Sequence, residues 1–238
     1  MNKPGLKLQG FTLVELAIVL IIVSALLGTV LKPLSMQQDV RRVQATQSIL
    51  EQAKTALIGF AMLNQRLPCP DMDNDGQEEY DPSDLTVCQA NTEGYLPWAT
   101  LGIISRDAWK NPMRYRADNN YTSNAWMTSI TPTTATSDKL RIGLVNTSAP
   151  DLITTDANDD SQVLAIIFSC GKNAKPDQRN NDGGGLQCTN GTSPDATYAQ
   201  DSPRYNESNP SSDFDDVLVW LPKNIFIPQM VQAGVLQF

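Results

Sequence analysis

The chain has 238 residues, 41% of them hydrophobic, with 18 Lys and Arg against 26 Asp and Glu and a formal net charge of −8. An acidic surface repels nucleic-acid phosphates and offers few of the cationic contacts that drive binding to them, so no direct nucleic-acid partner is expected. Histidine is absent, which excludes Ser-His-Asp and Cys-His nucleophilic catalysis and removes the imidazole ligands common in zinc sites.

Residues 1–10 form a basic leader with Lys3 and Lys7, no acid and no apolar run, so they lack the hydrophobic region of an ordinary secretory signal. The leader ends at Gly10 and is followed by Phe11-Thr12-Leu13-Val14-Glu15. From Phe11 to Leu31 the only charge is Glu15, and the run matches the ~20 residues that cross a ~30 Å hydrocarbon core. Residues 11–35 therefore read as a membrane-spanning helix whose basic flank stays cytoplasmic. An acid inside such a span costs ~2.5–3.5 kcal/mol near its centre and usually has a function.

A basic leader closed by Gly10, then Phe11, then Glu15 as the fifth residue after the junction resembles the N-terminus of the type IV pilin and pseudopilin family. The resemblance covers roughly the first quarter of the chain. It implies that a membrane-embedded aspartic prepilin peptidase cuts between Gly10 and Phe11 and methylates the new Phe11 amine. It also implies that the Glu15 carboxylate meets that amine on a neighbouring subunit during assembly. The implied localisation is single-pass in the inner membrane, among lipid, with the head in the periplasm, and later in a pilus or pseudopilus at the cell surface. The implied partners are other pilin or pseudopilin subunits and an inner-membrane assembly platform. The implied role is a pilus subunit or minor pilin, with a type II secretion pseudopilin as the alternative. A membrane-anchored extracytoplasmic binding domain is the alternative from another class.

Pro33 removes a backbone donor and is expected to kink the helix. Over residues 36–63, Val40, Val43, Leu50, Ala53, Leu57 and Phe60 recur at helical spacing and predict an amphipathic spine. Arg66-Leu67-Pro68-Cys69-Pro70 ends it, and residues 64–238 form the head. There, Leu140–Val145, Val163–Phe168 and Val217–Leu221 are short apolar runs bounded by Gly, Pro and Asp and read as strands. The expected fold class is α+β: a long N-terminal α-helix, its first half membrane-spanning, packed against an antiparallel β-sheet head. Trp98, Trp109 and Tyr115 read as core aromatics. Thr122–Ser137 and Lys172–Pro210 read as loops where partner specificity would lie.

The four cysteines fall into two close pairs, Cys69 with Cys88 and Cys170 with Cys188. Three connectivities exist, and proximity favours two local disulfides. Zinc is disfavoured because no Cys-x-x-Cys pair is present. Asp71-Met-Asp73-Asn-Asp75-Gly76 places three carboxylates at alternate positions before a glycine, as in the first half of a calcium loop. The twelfth position, which should be Glu, is Pro82. Asp71, Asp73 and Asp75 are thus candidate calcium ligands, with a solvated acidic loop pinned by Cys69 and Cys88 as the alternative reading. Asp156, Asn158 and Asp160 form a weaker cluster, while Asp213, Asp215 and Asp216 read as turn and edge residues. A carboxylate pair for glycoside hydrolysis is not visible in the sequence, and no enzymatic activity is expected.

Overall fold

Apolar residues spaced three and four apart put one stripe of a helix against the core, and Leu50, Ala53, Leu57 and Ala61 do this in α1 (Leu13–Asn64), each fully buried. The structure, a computed structural model, describes residues 12–89, 93–122, 136–145, 152–153, 162–177, 180, 197–204 and 213–236, with backbone alone over 27–36. The chain divides into two compact units, Met1–Arg42 and Val43–Phe238.

In the first unit α1 carries the apolar stretch 13–26, and here the expected fold and localisation are corrected. Among the described residues no helix is long and apolar enough to cross a membrane. Further on, Gln37, Gln38, Asp39, Arg41 and Arg42 are polar or charged. Single-pass anchoring in an inner membrane, and the head placement that depended on it, are not supported by the described residues.

The second unit contains the rest of α1 and all the strands. After α1 come β1 (Tyr80–Asp81), β2 (Asp84–Cys88), β3 (Gly94–Tyr95), α2 (Trp98–Leu101), β4 (Arg114–Ala117) and α3 (Asn119–Thr122). They are followed by β5 (Arg141–Gly143), β6 (Val163–Ser169), β7 (Thr197–Ala199), β8 (Val217–Pro222) and α4 (Lys223–Gln232). The main sheet has the order β3-β4-β6-β8, antiparallel throughout. β5 and β7 form a separate parallel pair, so the strands are not all antiparallel.

The sheet is a middle layer with apolar residues on both faces. Along β8, Val217, Val219 and Leu221 join the α1 core, while Leu218 and Trp220 face a second cluster with Leu140, Ile142 and Tyr198. This is the two-residue period of a strand. In β6 both Leu164 and Ala165 join the α1 core, and the register against β8 shifts between Val163 and Ala165. A bulge of this kind lets two successive residues share a face. All seven residues of β6 are buried, which explains its uninterrupted apolar sequence.

Helix α1 stops where Gln65 turns left-handed at φ 61°. Arg66 follows, stacked on the Phe60 and Tyr80 rings and paired with Glu78 through two hydrogen bonds of 2.6 and 2.7 Å. Tyr115, fully buried, donates to the Pro68 carbonyl at 3.1 Å. Trp98 and Trp109 are half-buried, and Trp109 packs at the edge of the α1 core.

Candidate functional site

Gly10 and Phe11 lie outside the described residues. Glu15 occupies the first turn of α1. The Thr12 backbone N–H and hydroxyl donate to Glu15 Oε2 at 3.0 and 3.1 Å, and the Glu15 N–H donates to Thr12 Oγ1 at 3.2 Å. This is a capping box, in which a Thr and the Glu three residues later satisfy each other's backbone donors. The backbone bond from Thr12, then its hydroxyl, holds the exposed carboxyl below its usual range. The Thr-x-x-Glu spacing was present in the sequence but was overshadowed by the apolar run around it.

Around that acid, every described residue from Thr12 to Leu26 is exposed. Leu13 is 89% accessible and Ile21 69%. Ile18 to Val23 is an unbroken apolar sequence, and six successive helical residues point to all sides of the axis. The helix thus presents hydrocarbon all around, with nothing among the described residues of its own unit to cover it.

Cys69 and Cys88 form a disulfide, with Cα atoms 5.3 Å apart. Cys170 is also disulfide-bonded, while Cys188 lies outside the described residues. The first disulfide closes the loop that holds the candidate calcium ligands. Asp71, Asp73 and Asp75 each offer a carboxylate oxygen within 4.8 Å of the others. Asp71 organises the turn: its Oδ1 accepts from the N–H groups of Asp73 and Asn74 at 3.1 and 2.5 Å, and its Oδ2 accepts from Gly76 N–H at 2.7 Å. Burial raises its pKa against those bonds.

Gly76 is required here, because its φ is 91° and a Cβ would stand 2.4 Å from the Trp98 ring. Its carbonyl accepts from Ala99 and Thr100 N–H at 2.9 and 3.0 Å, which seats the loop on α2. Glu79 accepts from Met72 N–H at 2.7 Å. Burial raises its pKa first, with further raising by the Asp73, Asp71 and Asp75 charges. Its carboxylate feels the three aspartate charges but is not among the oxygens that lie within 4.8 Å of one another. Oxygen donors of this kind suit a hard divalent cation such as calcium, although Asp73 and Asp75 are exposed. The cluster Asp156, Asn158 and Asp160 lies outside the described residues.

A groove of about 400 Å³ lies between α1 and β8 and is lined in part by Glu51, Lys54, Gln200 and Trp220. Glu51 and Lys54 pair with each other at 2.6 Å, so no pair of carboxylates faces across it. Two features were not legible in the sequence. A buried Glu93 pairs with Arg114 at 2.9 Å and accepts from the Tyr198 hydroxyl at 2.9 Å. Asp215 and Asp216, read as turn residues, are instead buried at 1% and 4% exposure. The partners of both come from distant parts of the chain, and no local pattern announces them. The chain matches no protein-family model, no curated protein and no solved structure.

Proposed function

We propose that this chain is a structural subunit of a type IV pilus-like filament, processed between Gly10 and Phe11 and assembled through the first half of α1. The observation that carries the reading is the helix surface over 13–26, apolar on every side and exposed. A helix of that kind is stable only when buried, inside a large core or a membrane, and among the described residues none spans a membrane. A bundle of the same helices from other copies of the chain supplies the missing cover. The motif at Gly10, Phe11 and Glu15 supports the same assignment, and the Cys69–Cys88 disulfide suits an oxidising environment. The partners are further copies or related subunits, a prepilin peptidase and an assembly machine. No catalytic role is proposed.

Glu15 then has two states. In the single chain it caps α1 through Thr12; in the filament its charge turns to the Phe11 amine of a neighbour. The substitution Glu15→Gln separates them, because Gln serves equally at this position of a capping box but carries no charge. Filaments recovered from cells making Glu15→Gln are expected to fall at least about tenfold, the factor that ~1.4 kcal/mol of lost contact energy brings. Thr12→Ala, which weakens the cap and keeps the charge, is expected to retain them. Undiminished filaments with Glu15→Gln would overturn the assignment.

A further inference from the structure

β6 leaves the sheet at Ser169 directly beside the first residue of β8, Val217, its partner in register. The segment leaving one strand and the segment entering the other therefore meet at one end of the sheet. There Asp177, Asp215 and Asp216 each bring a carboxylate oxygen within 4.8 Å of the other two. Their exposures are 9%, 1% and 4%.

Four of the six carboxylate oxygens are already occupied. Asp215 Oδ2 accepts from Lys172 and Asn173 N–H at 3.0 and 3.1 Å. Asp216 Oδ2 accepts from Asp177 N–H and from Asn180 Nδ2, both at 2.8 Å. Asp177 Oδ1 accepts from Asn173 Nδ2 at 3.0 Å and its Oδ2 from Asp215 N–H at 2.7 Å. These bonds fix all three carboxylates in place. They leave Oδ1 of Asp215 and Oδ1 of Asp216 buried with no hydrogen-bond partner among the described residues. A buried polar oxygen without a partner costs about 1–3 kcal/mol, more when charged, and buried polar groups in folded proteins are almost always satisfied. Two such oxygens beside a third carboxylate form a fixed set of hard acceptors that a cation would satisfy.

We propose that Asp177, Asp215 and Asp216 hold a calcium ion, with Oδ1 of Asp215 and Oδ1 of Asp216 among its ligands. All the donors are hard oxygens; the chain has no imidazole and no free thiol, which disfavours zinc and copper. Magnesium keeps several of its waters, and the site is tight: a Cβ on Gly171 would stand 2.3 Å from the Asp215 carbonyl oxygen and 2.6 Å from its Oδ1. Calcium exchanges its water for protein oxygens readily and tolerates an irregular set. Burial, then the Asp177 charge, raises the pKa of Asp215 to about 7 and raises that of Asp216 well above its usual value. The ion would fasten the two ends of the segment between Asp177 and Asp215. This site is separate from the Asp71 loop and does not depend on the filament reading.

The test uses the full chain carrying Asp73→Asn and Asp75→Asn, so that the Asp71 loop contributes no charge at those positions, freed of metal by chelation and titrated in parallel with calcium and magnesium chloride. Calcium at about a hundredfold excess over its dissociation constant is expected to raise the melting temperature by about 5–10 °C. Calorimetry is expected to count one ion, and magnesium is expected to do far less. Adding Asp216→Asn should abolish the response. No calcium response, an equal response to magnesium, or a response retained with Asp216→Asn would overturn the site. If the Asp216→Asn chain does not fold, the calorimetric stoichiometry of the Asp73→Asn, Asp75→Asn chain decides alone, with one ion supporting the site and none refuting it.

Discussion

Asp71 illustrates how one side chain can fix a loop. Three backbone N–H groups point at its carboxylate, and removing it leaves them without that acceptor. Asp71→Ala is expected to destabilise the head by about 2–3 kcal/mol, given the 1–3 kcal/mol typical of an unsatisfied buried group, as read by urea unfolding with calcium absent. Asp118 gives a pH dependence. It is fully buried, accepts from Asn120 N–H at 3.0 Å, Ser137 Oγ at 3.2 Å and Asp138 N–H at 2.8 Å, and its pKa is raised by burial from 3.8 to about 6. The folded state therefore binds the proton more tightly than the unfolded chain. Its contribution is fully present below pH 3.8 and is lost as pH rises through about 6. In chelator, the head is expected to be more stable at pH 5 than at pH 7.5, by about 1–1.5 kcal/mol from this group. Asp118→Asn should flatten that portion of the profile; an unchanged slope would count against it.

At the scale of elements, periodicity explains what could be read in advance. The apolar runs at 163–168 and 217–221 became β6 and β8, because β-branched and aromatic residues bounded by turn formers have few other ways to be buried. The amphipathic spacing of Leu50, Ala53 and Leu57 became the buried stripe of α1. What could not be read was pairing across distance: the parallel β5 and β7 strands, the β6 bulge, and the meeting of Asp177 with Asp215 and Asp216 all depend on residues tens of positions apart. Chain length in the membrane reading misled for a related reason, since apolar sequence alone does not say whether lipid or other helices cover it. Leu57→Ala is expected to cost about 2–5 kcal/mol through the cavity left between α1 and the sheet. Replacing Cys69 and Cys88 by serine should lower stability by about 3 kcal/mol, the loop-closure contribution of a bridge of this span. Thermal or urea unfolding of the purified variants reads both.

The whole molecule combines a head with a buried core and a helix stretch whose apolar side chains are exposed. The head buries its apolar residues in two clusters, on either face of one sheet. Over 13–26 the helix exposes its hydrocarbon, which is the surface that the proposed filament assembly would cover. The reading of Gly10, Phe11 and Glu15 rests on a local, contiguous motif; the aspartates of the buried cluster could not be read that way, because folding alone assembles them. The most direct test is the mass of the N-terminal peptide of the protein isolated from the cells that make it. A chain beginning at a singly methylated Phe11 is expected, and an intact chain beginning at Met1 would contradict the filament reading.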